Sequence, residues 1–139
     1  MFEIIQKNIL IPGDDIYDYD SYTTRGEQRS RGFEMDLTGY IAPNFQVTAS
    51  YGFTDAIIVE DAIEEFVGER IGEAPKHNAN FWGRYDFNNR ILRGTGVGFG
   101  VQHVDERYTW YSSANNPARV LLPDYTVFDA AVYYKPNRL

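Results

Sequence analysis

The sequence predicts an all-β chain, an antiparallel meander of about six strands. Three observations predict it. Long runs alternate apolar and polar side chains at period two, the period of a strand whose two faces meet different surroundings. Aromatic residues make up 16% of the 139 residues, 11 of them Tyr, and such side chains suit a half-buried pleated surface. The connections between runs alternate long, short, long, short, long. In an antiparallel meander this gathers every long loop at one end and every short turn at the other.

Phe2–Ile11 is β-prone with imperfect alternation, and reads as a first strand. Pro12–Arg25, rich in Asp and Tyr, reads as a long loop; Asp14, Asp15, Asp18 and Asp20 do not have the spacing of a calcium-binding loop and read as solvated charge. The second and third strands, Glu27–Ile41 and Phe45–Ile58, flank the turn Ala42-Pro43-Asn44, whose residues suit a tight connection. Phe33, Met35, Leu37 and Ile41 share one face, opposite Glu34, Asp36, Thr38 and Tyr40. After the turn, Phe45, Val47, Ala49, Tyr51 and Phe53 oppose Gln46, Thr48, Ser50, Gly52 and Thr54.

Val59–Ala74 is a second long connection, with Ile63, Phe66 and Val67 at a spacing that allows one helical turn. The fourth strand, Lys76–Phe87, sets Ala79, Phe81, Gly83, Tyr85 and Phe87 against Asn78, Asn80, Trp82, Arg84 and Asp86. A short link at Asn88-Asn89-Arg90 leads to the fifth, Gly94–Arg107. There Val97, Phe99 and Val101 oppose Gly96, Gly98 and Gly100. Glycines at period two leave one face of a strand bare, so close approach of another group is expected there. They do not make a phosphate loop, since no helix opening follows. Tyr108–Leu122 is the third long connection. Tyr125–Tyr134 is the sixth strand, with Phe128, Ala130, Val132 and Tyr134 opposite Asp129, Ala131 and Tyr133, and Lys135-Pro136-Asn137 reads as a turn.

Composition narrows the function. A net charge of −7 argues against a nucleic-acid surface. The absence of cysteine removes a disulfide scaffold and a cysteine zinc site. No run of 18 apolar residues exists, so a transmembrane helix is not expected, and the start Met-Phe-Glu-Ile-Ile-Gln-Lys lacks the pattern of a signal peptide. His77 and His103 are the two histidines, and neither sits in a nucleophile or zinc-protease motif. No catalytic or metal constellation is expected, and the chain does not read as an enzyme.

Strands this long, apolar on one face and with loop lengths this asymmetric, fit a transmembrane barrel. The other face carries Glu34, Asp36, Arg84, Asp86 and Asp129, which a closed core would bury at high cost and a wet lumen would not. The alternative is a soluble antiparallel β-sheet, a ligand-binding or interaction module whose charged face is simply its solvent face.

Four stretches then carry a resemblance: 26–39, from Gly26-Glu27-Gln28-Arg29 through Phe33-Glu34-Met35-Asp36-Leu37-Thr38-Gly39; 47–56, Val47 through Thr54-Asp55-Ala56; Gly72-Glu73-Ala74-Pro75-Lys76-His77; and Leu122-Pro123-Asp124-Tyr125 through Asp129-Ala130. In this order the chain resembles the TonB-dependent siderophore receptors, ferrichrome-type receptors in particular, over their late barrel strands. The resemblance implies a segment of a transmembrane β-barrel of about 22 strands, the size class with a plugged lumen. It implies import of a ferric siderophore across the outer membrane of a Gram-negative bacterium, powered by the TonB system acting through a plug domain. On that reading residues 1–139 are a single segment of the barrel domain. Plug, TonB-contacting segment and closing strands are expected outside it. No cofactor is expected; the ferric siderophore is the transported ligand, and outer-membrane lipid is the other partner.

In that family aromatic side chains of the loops and upper wall meet the ligand, which makes Tyr108, Trp110 and Tyr111, and Trp82 on the inner face, the candidate ligand-binding residues. The competing role is the aromatic girdle of such barrels. Residues 58–74 hold six carboxylates against Arg70 alone, and residues 10–27 five against Arg25 alone. Acidic loops repel a triply anionic ferric catecholate and favour a neutral or cationic complex such as a hydroxamate. Arg29 and Arg31 share the parity of Phe33 and face outward, toward either lipopolysaccharide phosphates or bulk water.

Overall fold

The computed structural model describes residues 1–12, 22–61, 64–109 and 119–135. Its strands are β1 (Phe2–Pro12), β2 (Tyr22–Ala42), β3 (Phe45–Glu60), β4 (His77–Asp86), β5 (Thr95–Val104), β6 (Arg107–Tyr108), β7 (Leu121–Leu122) and β8 (Tyr125–Tyr134). Six of them form one sheet in the order β1-β2-β3-β4-β5-β8, and the pairings β1–β2, β4–β5 and β5–β8 are antiparallel. This is the expected all-β meander. β6 and β7 form a separate two-stranded ladder within the third long connection.

Most strand ends differ from the sequence reading by one or two residues, and three differences shape the connections. β2 starts at Tyr22, inside the expected first loop, because β1 continues to Pro12 and supplies a partner as far as Tyr22. The turn between β2 and β3 is Pro43-Asn44. Asn44 is tied to β4: its carbonyl accepts the Asp86 amide at 2.9 Å, and its side-chain amide donates to the Asp86 carbonyl at 3.3 Å. β5 ends at Val104, after which the chain turns off to build β6. The helical turn foreseen in the second connection is a single 3-10 turn, Glu64–Phe66. The aspartates at 14, 15, 18 and 20 lie outside the described residues.

Contacts divide the chain into two units. The first comprises Met1–Phe33, Phe53–Lys76 and Asp105–Asp124; the second comprises Glu34–Gly52, His77–Val104 and Tyr125–Leu139. In the first, residues 67–71 run beside β3. The Gly68 amide donates to the Ile58 carbonyl at 2.8 Å, the Ile58 amide to Glu69 at 3.0 Å, and the Ile71 amide to Ala56 at 2.9 Å. Ala56, Ile58 and Phe66 are buried there. In the second, the β4–β5 link closes through the Asn89 carboxamide oxygen, which accepts the Leu92 amide at 2.7 Å, and through Gly94, whose φ of 87° a side chain would strain.

Among the described residues, neither unit wraps a closed core around the apolar strand faces. Phe99 is 51% exposed, Phe128 68% and Val132 83%, and Phe33, Met35, Leu37, Ile41 and Phe81 are exposed as well. Val47, by contrast, is 3% exposed, and Gly83 on the same face is buried too. Aromatics still pair along that face: Phe33 with Phe53 at 5.9 Å between centroids, Phe45 with Tyr85 at 6.4 Å, and Phe99 with Phe128 at 6.2 Å. An apolar face left this open matches a sheet whose surroundings on that side are hydrocarbon. Among the described residues no helix is long and apolar enough to cross a membrane.

Candidate functional site: an inner wall and a loop clamp

The polar face of the second unit forms one wall. Alternation puts Glu34 and Asp36 of β2, Ser50 of β3, and Asn78, Asn80, Trp82, Arg84 and Asp86 of β4 on it. Glu34, Asp36, Ser50, Gly52 and Asn78 line a polar recess of about 290 Å³. Asn80 Nδ2 donates to Ser50 Oγ at 2.5 Å, and Thr38 meets Thr48 at 3.5 Å. The charges foreseen for this face are partly paired. Arg84 Nη2 lies 2.9 Å from Asp86 Oδ1, and the Arg84 guanidinium sits 4.3 Å from the Tyr133 ring centroid.

The bare strip at Gly96, Gly98 and Gly100 is occupied from within the chain. A Cβ on Gly98 would lie 2.6 Å from Trp82 Cζ2, and one on Gly100 2.6 Å from Trp82 Cε3. The register places Trp82 opposite Gly100 and Arg84 opposite Gly98, so the indole lies flat along the strip. Tyr133, opposite Gly96 on β8, reaches the same strip from the other side. The close approach read from the sequence is therefore that of Trp82 and Tyr133. Glycines here let two large aromatic rings hug the wall, where ordinary residues would push them inward.

Gly100→Val tests this packing. The branched side chain must displace the indole, at an overpacking cost of about 1–3 kcal/mol. We expect a lower unfolding temperature and a red-shifted indole emission, the spectral change vanishing in a Trp82→Phe background. Unchanged stability and emission would show that Trp82 does not rest on the strip.

The first unit holds the loop residues. Tyr108 is in β6, paired with Leu121 of β7, and its carbonyl accepts the Glu73 amide at 2.7 Å. Arg119 organises the surroundings. Its side chain is only 9% exposed. Nη2 donates to the Arg70 carbonyl at 2.7 Å, Nη1 to Glu69 Oε2 at 3.2 Å, and Nε to the Thr109 carbonyl at 3.3 Å. Its guanidinium lies 4.6 Å from the Tyr108 ring centroid. Thr109 and Val120 close the base of the connection, amide to carbonyl at 3.0 Å and amide to Oγ1 at 3.0 Å. One planar fork thus fastens the second long connection to the third, a task five fixed donors suit and a lysine would not.

Of the four candidate ligand residues, Trp82 belongs to the second unit and Tyr108 to the first, while Trp110 and Tyr111 lie outside the described residues. Arg119 was not singled out from the sequence. It follows no periodic pattern, and its partners are mostly main-chain carbonyls that any sequence supplies. Both histidines are ordinary polar strand residues: His77 Nδ1 is 2.7 Å from the Tyr51 hydroxyl, and His103 Nδ1 2.9 Å from Thr126 Oγ1.

Comparison with known proteins supplies what geometry alone does not. The family described as TonB dependent receptor-like, beta-barrel matches residues 1–139. The chain is 36% identical over 115 residues to the ferrichrome outer membrane transporter/phage receptor of Escherichia coli K12, covering 82% of this chain and 14% of that protein. It is 29% identical over 134 residues to the metal-pseudopaline receptor CntO of Pseudomonas aeruginosa UCBPP-PA14, covering 96% of this chain and 18% of that one. The chain therefore spans less than a fifth of these relatives. Its fold is that of the siderophore receptor PiuA from Acinetobacter baumannii, with a TM-score of 0.72 at 23% identity, over 98% of this chain and 19% of that one. Proteins of the matched family are outer-membrane β-barrels of Gram-negative bacteria, which sets aside the soluble module. The alternating sheet, its open apolar face and a match from the first residue to the last place this chain in the TonB-dependent receptor family, within that family's β-barrel.

Proposed function

We propose that the chain forms part of the barrel wall of a receptor that imports a ferric siderophore, with TonB supplying the energy through a plug domain. The observation that carries this is the full-length family match on a sheet with two dissimilar faces. Relatives named for ferrichrome and ferrioxamine B support a siderophore as the cargo. The inner wall faces the pathway. The loop cluster around Tyr108 and Arg119 is offered to the arriving ligand; Trp110 and Tyr111, also candidates, lie outside the described residues. Aromatic rings there press on the ligand's organic shell and leave the iron-chelating oxygens in place. The acidic second connection favours an uncharged or cationic complex.

Uptake of radioactive iron by a receptor-deficient host expressing the intact receptor tests this. Ferrichrome or ferrioxamine B should deliver iron in a tonB-positive host and not in a tonB-deficient one. TonB-independent uptake, or none from any siderophore offered, would contradict the import reading. A preference for a triply anionic ferric catecholate would contradict the charge argument alone.

A further inference from the structure

Among the described residues of the third connection, Tyr108 is the candidate ligand contact, and it is held at two points. Its carbonyl accepts the Glu73 amide at 2.7 Å. Glu73 makes that bond from a φ of 62°, a left-handed conformation that a residue with a side chain keeps only where its surroundings enforce it. Its ring lies against the Arg119 guanidinium, 4.6 Å from Cζ to the ring centroid.

That guanidinium is fixed. Its three nitrogens donate to the Arg70 carbonyl, Glu69 Oε2 and the Thr109 carbonyl, and the side chain is 9% exposed. Two of these acceptors belong to the second connection and one to the third. A planar fork spread over both has no free rotation and no edge turned to an incoming molecule. Tyr108, in contrast, is half-buried. The ring keeps exposed surface while a cationic plate backs one face. An immobile ring loses little rotamer freedom when a ligand packs on it, which favours binding. Glu69, Arg70 and Glu73 thus set the position of a ring in the other connection, without needing to meet the ligand themselves.

We propose that Arg119 is a positioning residue for ligand binding: it fixes the Tyr108 ring without touching the siderophore, and through Glu69, Arg70 and Glu73 it couples the second connection to the ligand. This role rests on the import reading above, with Tyr108 as a ligand contact.

A double-mutant cycle on the intact receptor in detergent tests this, with ferrichrome and ferrioxamine B as probes and Kd read by calorimetry. Arg119→Ala should raise the Kd of a complex that binds by about fivefold to tenfold, the scale of ordering one large side chain. Tyr108→Leu should raise it at least as far. In the Tyr108→Leu background, Arg119→Ala should then change Kd by less than about twofold, because it acts through a ring that is gone. Arg119→Lys keeps the charge, loses the fork and should bind nearly as poorly as Arg119→Ala. In iron uptake by cells, Arg119→Ala should raise the half-saturating concentration and leave the rate at saturation unchanged. The bound complex should also slow hydrogen exchange of the Glu73 amide in the wild type and not in Arg119→Ala, since coupling between two sites is reciprocal. Losses that simply add, full affinity in Arg119→Lys, a lowered rate at saturation, or no added protection at Glu73 would overturn the proposal while leaving the import reading in place. A wild-type receptor that binds neither complex would contradict the import reading, and this role with it.

Discussion

Phe99→Arg should cripple assembly of the intact receptor in a bilayer, at a cost of about 2–4 kcal/mol for a cation near the bilayer midplane. Phe99 lies mid-strand in β5, opposite Gly83 on one side and Ala130 on the other, and stacks on Phe128 of β8. Having strands on both sides, it cannot swing past a sheet edge to reach water. The control is Asn78→Arg. Asn78 is one residue from the face of Phe99 in parity, on the inner wall, in the recess with Glu34 and Asp36. A cation there gains two carboxylate neighbours and should be tolerated within about 0.5 kcal/mol, as surface changes usually are. Urea titration of the receptor folded into vesicles reads both. Similar costs at the two positions would mean that the faces do not meet different solvents.

Arg119→Ala should loosen two connections together. Removal leaves the Arg70 and Thr109 carbonyls without their charged donor and Glu69 without its partner. Hydrogen bonds from a charged donor contribute about 1.5–3 kcal/mol each, so local opening should become easier by about 2–4 kcal/mol after partial replacement by water. Hydrogen exchange in the intact receptor should then accelerate at Ile71 and Glu73 and at Thr109 and Val120. Arg119→Lys should restore little, because one ammonium cannot serve carbonyls on both connections at once. Faster exchange in only one connection would show that Arg119 belongs to that loop and does not couple the pair. Unchanged protection throughout would remove its structural role.

The parts of this chain readable from sequence are those that physics writes locally. The alternation of Phe33 with Glu34, Met35 with Asp36 and Leu37 with Thr38 gives strand, face and solvent at once, because a side chain's face is fixed by parity. The Pro43-Asn44 turn is equally local. What escaped was decided by partners distant in the chain. The early start of β2 depends on how far β1 extends to pair with it. The glycine strip announced a close approach, yet only the register of β4 against β5 identifies Trp82 as the group that approaches. Nothing in the local sequence marks Arg119, and its reach to residues 69, 70 and 109 is a tertiary fact. Arg31 was read as facing outward, and it does, but paired with Asp55.

The two faces of the sheet meet dissimilar solvents, and β8 offers the plainest test. Single cysteines carrying a nitroxide label, placed in turn at residues 128–133 of the intact receptor in a bilayer, would report collisions with dissolved oxygen and with a water-soluble nickel reagent. Labels at Phe128, Ala130 and Val132 should favour oxygen, and those at Asp129, Ala131 and Tyr133 should favour nickel, alternating residue by residue. Six labels shielded from both reagents, or exposed to both without alternation, would contradict the assignment of this sheet to a membrane wall.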